Sequence, residues 1–302
     1  MCDLEATPLE EASFGFDAGA EPAAVLSEIH AGFGLLLERG GIAPSRARGI
    51  GVAVPAPVAI GRGAPVDARM MPGWEDFSIP AWFAAHSDLP VLVDSHVNAM
   101  ALGERSEHWR DVDHVVFVNV GTTIECGIVS GHTVHRGAHG AAGDIGHIRL
   151  AGHDDALCPC GNTGCLEAVA GGEALAANLS AAGLPARSVR DVVAHARAGE
   201  AVALQAIRGA GRAVGEVLAE CINFFNPGAI VVGGALAESP QQLLAGVRET
   251  AIGRSLPMAT RDLRMGAARL GARAGVIGAA VMVIEHVLAP ENVDRAVQRH
   301  AR

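Results

Sequence analysis

Residues 214–234 read VGEVLAECINFFNPGAIVVGG, and this stretch decides the fold class. Val214, Val217, Leu218, Cys221, Ile222 and Phe225 recur at steps of three and four, the stripe of a helix with one buried face. Ala229-Ile230-Val231-Val232 then runs apolar and closes at Gly233-Gly234, as a buried strand does. Helix followed by fully apolar strand points to an α/β protein whose sheets are covered on both faces.

The same alternation extends outward. Ile50 to Val54, closed by Pro55, and Pro90 to Asp94 are short apolar runs read as buried strands. The second leads through a polar cluster into an alanine-rich helix from Asn98 to His108. His114 to Val120 is β-branched and alternating; Glu125 to Ser130 and His132 to Arg136 continue it as a meander, and 137–146 form a glycine-rich loop. Glu21 to Arg39 places Val25, Ile29, Phe33, Leu36 and Leu37 on one helical face, and Gly40-Gly41 ends it. Met1 to Asp17 reads as an interrupted strand pair around a Thr7-Pro8 turn. Residues 170–225 are expected to be mostly helical, as are Pro240 to Ile252 and Ala274 to Val287. Arg261 to Arg273 reads as a solvated helix face, with an interface as the alternative.

The 302 residues give room for two modest domains. Half are apolar and 19% charged, which excludes bulk disorder. All 23 basic residues are arginine, which excludes a lysine Schiff base and a Walker-type phosphate loop. With a net charge of −10, no tyrosine and only 8 Phe and 3 Trp, direct nucleic-acid binding by this chain is not expected. No signal segment opens the chain and no run of 18 apolar residues occurs, so a cytoplasmic protein without membrane contact is expected.

Of six cysteines, three fall in Cys158-Pro159-Cys160-Gly161-Asn162-Thr163-Gly164-Cys165, spacing typical of metal ligation rather than of disulfides. A fourth ligand is needed. His147 lies 11 residues upstream, and His153 competes with it. A closed Cys₃His set leaves no position for water, so such a zinc would be structural. Cys2, Cys126 and Cys221 read as small buried or terminal hydrophobes.

With these residues in view, the chain resembles the ROK family, which groups bacterial sugar kinases with sugar-responsive repressors. The resemblance rests on Arg136-Gly137-Ala138-His139-Gly140-Ala141-Ala142-Gly143-Asp144-Ile145-Gly146-His147, the cysteine cluster with Leu166-Glu167, residues 226–234, and Ala274 to Ala280. It implies an actin-like, ribonuclease-H-like fold of two α/β domains with a cleft between them. We place a small domain at 1–107, with 287–302 packing back on it, and a larger zinc-bearing domain at 108–286. The resemblance also implies zinc on His147, Cys158, Cys160 and Cys165, with Asp144, His147 and Glu167 facing sugar hydroxyls. Carboxylates and a metal-oriented imidazole suit that task. Dimers or tetramers are implied as well.

The departures from the family pattern are informative. The start of the chain resembles the family's second hairpin strand, so its first phosphate loop, and the helix-turn-helix of its regulators, are expected to be absent. The second phosphate loop reads Gly121-Thr122-Thr123-Ile124-Glu125-Cys126-Gly127, with Thr123 and Glu125 in place of glycines. Side chains there keep backbone amides from phosphate, and Glu125 would repel it. The segment that carries the catalytic aspartate in family kinases reads Ser95-His96-Val97-Asn98, with His96 at the aspartate position. Met70 and Ser95 stand where asparagines contact sugar, and Ala56 replaces a glycine.

These substitutions favour a non-catalytic, zinc-containing sugar-sensing domain of regulator type, binding sugar through Ser95, His96, Asn98, Asp144, His147 and Glu167 without ATP or magnesium. The alternatives are an ATP-dependent hexose kinase with His96 as general base, and a zinc-stabilised dimeric scaffold that binds no ligand.

Overall fold

The computed structural model describes residues 1–16 and 19–300. The chain folds into two units: residues 1–106, 136–141 and 272–302 form the first, and 107–135 with 142–271 the second.

In the first unit, helix α1 (Pro22–Arg39) starts where the Glu21 side chain accepts the Ala24 amide at 2.9 Å, with proline in the first turn. Strand β1 (Ile50–Val54) is followed by a small antiparallel pair, β2 (Val58–Ala59) with β3 (Ala64–Pro65). Helix α2 (Ile79–Ala84) is capped by Ser78. Strand β4 (Val91–Ser95) pairs in parallel with β1 and runs directly into helix α3 (His96–His108). Val25, Leu26, Val54, Trp74, Ile79 and Phe83 form the core of this unit. Full burial of one such aliphatic side chain is worth about 1.5–3 kcal/mol.

The second unit is built on a five-stranded sheet. Its strands are β5 (His114–Val120), β6 (Ile124–Ser130), β7 (Thr133–Val134), β8 (Ala229–Gly233) and β9 (Arg264–Ala267), in the order β7-β6-β5-β8-β9. Only β5 with β6 and β6 with β7 are antiparallel. The helices are α4 (Leu166–Ala170), α5 (Gly172–Ala181), α6 (Val189–Arg197), α7 (Ala201–Phe225), α8 (Pro240–Arg254) and α9 (Pro257–Thr260). The stripe on α7 is real: Val214, Val217, Leu218 and Ile222 are buried, while Phe224, one step off it, is 94% exposed. Helices α10 (Ala274–Leu288) and α11 (Pro290–His300) return to the first unit.

Four expectations need correction. The boundary placed at 286/287 falls at 271/272, because α10 packs on β1 and β4; residues 136–141 also join the first unit. The N-terminal strand pair is a single bridge, Cys2 to Pro8. Its turn centres on residues 4–6, because the Asp3 carboxylate accepts the amides of Glu5 and Thr7, both at 2.9 Å. Asp17 lies outside the described residues. Arg261 to Arg273 is not a helix face: 264–267 add a parallel strand to β8, with Arg264 stacked over Trp109 and paired to Asp111 at 2.9 Å. Finally, β5 is buried along Val115 to Val120 rather than alternating, since it lies between β6 and β8.

Gly271 to Leu288 is long and apolar enough to cross a membrane by length and composition. Here its inner face is spent on packing: Ala274, Ile277, Gly278, Ala279, Met282 and Val283 are buried. Two glycines permit the closest approach. A Cβ on Gly278 would lie 1.6 Å from the Ala99 carbonyl oxygen, and one on Gly103 2.2 Å from that of Ala274. Replacing Gly278 by alanine therefore forces α3 and α10 apart; chemical denaturation should show a loss of about 1–3 kcal/mol, the usual cost of overpacking.

Candidate functional site

The residues of interest in the second unit are assembled by one loop. After β7 the chain turns through Gly140 and Gly143, and the 3-10 turn Ile145–His147 follows. Gly143 has φ +99°, and a Cβ there would lie 1.9 Å from the Cys126 carbonyl oxygen. Its own carbonyl accepts the Cys126 amide at 2.7 Å. The loop is thereby laid on β6, with Asp144 exposed and His147 half-buried at its end.

His147, Cys158, Cys160 and Cys165 place one ligand atom each within 4.8 Å of one another. Cys160 Sγ is 3.7 Å from Cys165 Sγ, and Cys158 Sγ is 3.5 Å from His147 Nδ1. Metal bonds of about 2.3 Å to sulfur and 2.0–2.1 Å to nitrogen, at tetrahedral angles, put these pairs about 3.8 and 3.6 Å apart. The residues fit a metal ion in both spacing and donor softness. Burial and the neighbouring thiols hold the Cys165 thiol up at about 12, while the Asn162 backbone hydrogen bond brings that of Cys160 down to about 7. His153 is not part of the set and is exposed. Cys126 is fully buried, Cys2 and Cys221 half-buried, and none of the three joins the tetrad.

Because Nδ1 of His147 faces the thiols, Nε2 faces the other way, 4.0 Å from Asp144 Oδ1. Glu167 stands in the first turn of α4, two residues after the last cysteine, and its Oε2 accepts the Ile124 amide at 3.0 Å. Burial raises its carboxyl despite that bond. Glu125, on β6, is pushed up to about 7, first by burial and then by the charges of Asp144 and Glu167. Three carboxylates thus share one region beside the tetrad.

The stretch 121–127 is not an open amide cradle. The Gly121 amide donates to Thr123 O at 3.1 Å, Ile124 to Glu167 and Cys126 to Gly143, while 124–127 lie in β6 in register with β5. Thr122 is exposed and Thr123 half-buried, and Gly127 pairs with Phe117.

In the first unit, the end of β4 and the first turn of α3 hold the other residues singled out in the sequence. Ser95 and Asn98 are buried, and His96 is half-buried. Burial lowers the His96 pKa, and a backbone hydrogen bond involving Val54 opposes this. The imidazole is therefore neutral at pH 7. Sequence reasoning passed over the partner of this segment. Asp94 takes Asn98 and Arg136, the latter a contact between positions 42 residues apart that no local pattern signals. Ala56 is buried in the core of this unit, and Met70 packs against it.

The second unit thus combines a Cys₃His tetrad with a glycine loop that carries an acidic residue. The ROK family model matches residues 30–286, and the chain belongs to that family. The xylose repressor of Caldicellulosiruptor bescii is 29% identical over 81% of this chain, which spans 64% of that repressor. A ROK family transcriptional regulator, a homologue of the E. coli MLC protein, superposes with TM-score 0.77 at 29% identity, over 88% of this chain and 68% of its own. The ROK glucokinase of Streptomyces griseus, solved with glucose and AMPPNP, gives TM-score 0.78 at 26% identity over 93% of each chain. Relatives thus include both regulators and kinases.

The raised Glu125 carboxyl has a definite sign. Its charged form is disfavoured in the folded state, so its unfavourable contribution is absent below about 4.5 and grows as pH rises through about 7. Glu125→Gln should melt above wild type at pH 8, and the difference should vanish towards pH 4.5 in thermal unfolding at constant metal content.

Proposed function

We propose that the chain is a sugar-sensing domain of the ROK regulator type that holds zinc on His147, Cys158, Cys160 and Cys165 and has lost phosphoryl transfer. One observation carries this reading: in the stretch 121–127 the amides of Gly121, Ile124 and Cys126 are committed within the protein, and the half-buried Glu125 carboxyl stands among them. A triphosphate needs free donors and meets a carboxylate instead.

Sugar hydroxyls are a different matter. Asp144 and Glu167 offer acceptors, and zinc on Nδ1 of His147 would fix its tautomer so that Nε2 carries the proton and donates. Within the first unit, Ser95, His96 and Asn98 are proposed sugar contacts in their own right. Zinc here serves structure and orientation, since four protein ligands fill a tetrahedron. The domain is taken to act as a dimer or tetramer.

The expected result is one zinc per chain by elemental analysis, lost in Cys165→Ser together with a lower Tm. Xylose, glucose, mannose and N-acetylglucosamine form the panel for thermal shift. A ligand at 100 times its Kd adds about 2.7 kcal/mol. At least one sugar should raise Tm, and Glu167→Gln should abolish that rise; a flat response in the wild type would favour a scaffold without ligand.

The neutral imidazole of His96 supports the second reading, a hexose kinase with histidine as general base. Single-turnover incubation with labelled ATP, magnesium and the same sugars separates the two. No sugar phosphate above the ATP-free control is expected, and its formation would overturn the sensor.

A further inference from the structure

Asp94 lies near the end of β4 and is 3% exposed. Its Oδ1 accepts the Ser95 amide and Asn98 Nδ2, both at 2.8 Å. Its Oδ2 accepts Nε and Nη2 of Arg136, both at 2.7 Å. Four donors thus converge on one buried carboxylate. A carboxylate only accepts, so the amide of Asn98 can present only its NH₂ side to Asp94, and its flip state is decided. Ser95 Oγ accepts the Asn98 amide at 3.4 Å, which ties the same turn a second time. His96 lies between the two pinned residues and is more exposed than either.

Mere stapling of the fold is a poor explanation for this pair. The Arg136 side chain is 36% exposed, and an ion pair with one buried partner is seldom more stabilising than apolar residues of the same volume. What the charges supply is direction, since they dictate which way the backbone of Ser95 and the side chain of Asn98 must point. Arg136 is also the first residue of the glycine loop, and 136–141 pack with the first unit. One guanidinium therefore sets both the start of that loop and the start of α3.

We propose that Asp94 and Arg136 are a positioning pair that holds Ser95-His96-Val97-Asn98 in the geometry that receives a sugar. The inference rests on the sugar-binding reading given above. Neither residue needs to touch the sugar; both act through the turn they orient.

The test compares wild type with Arg136→Met and Arg136→Lys, using whole, metal-loaded protein. Sugar affinity is measured by calorimetry with xylose and glucose, and the Asn98 side-chain NH₂ signals are followed by ¹⁵N NMR, assigned with Asn98→Ser. Arg136→Met should weaken sugar binding at least tenfold, shift the Asn98 signals and speed their hydrogen exchange. Arg136→Lys, which can still donate to Oδ2, should recover part of both. Leu26→Ala, on α1, destabilises the core of the same unit, and its folded fraction should bind sugar as wild type does; a loss matching that of Arg136→Met would reduce the pair to a structural role. Wild-type affinity in Arg136→Met would overturn the proposal. If wild type binds none of xylose, glucose, mannose and N-acetylglucosamine, the sugar reading fails by itself, and unchanged Asn98 signals in Arg136→Met would sink the positioning role separately. Should Arg136→Met not fold, the near-isosteric Asp94→Asn makes the same comparison, because an amide at 94 cannot accept from all four donors.

Discussion

The second unit depends on the seating of the glycine loop on β6. Gly143 lies against the backbone of Cys126 at a distance no side chain tolerates, and a 2.7 Å hydrogen bond joins the two residues there. This contact seats the end of the loop. It sets Asp144 and His147 at the end of the loop. It also commits the Cys126 amide, which closes one of the donors a phosphate would need. The cysteine hairpin then completes the tetrad, with the Leu157–Thr163 bridge and the Arg149–Cys165 bridge holding its arms. The position of His147 and the closed Cys126 amide are thus two consequences of one backbone approach, while the amides of Gly121 and Ile124 are taken by Thr123 and Glu167.

Electrostatics reinforce the same division of labour. Glu125, Asp144 and Glu167 are gathered in one region, where burial first and then the charges of the other two lift the Glu125 carboxyl to about 7. Such a region accepts hydrogen bonds from neutral polyols and disfavours polyanions. In the first unit the arrangement is the opposite: one carboxylate, Asp94, is surrounded by four donors. Its charge is compensated locally and serves to orient neighbours.

Much of the secondary structure was legible because it is periodic. The stripe on α7, the apolar run of β8 and the helix behind Glu21 carry their signal within a window of a few residues. Helix α2, capped by Ser78 with Pro80 in its first turn, was not read, because its six residues leave little periodicity to notice. Nor was strand β9. Arg264-Met265-Gly266-Ala267 has no strand character alone and becomes a strand because β8 offers it an edge. The arginine there is solvent-exposed as read, but it lies on a strand, over Trp109 and beside Asp111. The same holds for α10, whose membership in the first unit follows from packing on β1 rather than from its place in the chain.

The sequence by itself determined the three cysteines of the tetrad, the glycine loop, and the substitutions at 95, 96, 123 and 125, because each is a matter of which residue stands at a given spacing. For the fourth member of the cluster the spacing left His147 and His153 open, the family resemblance pointed to His147, and the tertiary structure brings His147 to the cysteines. It alone showed that the amides of 121, 124 and 126 are already taken, and that Arg136 reaches back to Asp94. The physical reason is the same in each case. Ligand clustering, amide commitment and ion pairing depend on distances between atoms far apart in the chain, and those distances exist only once the sheet and loop are packed.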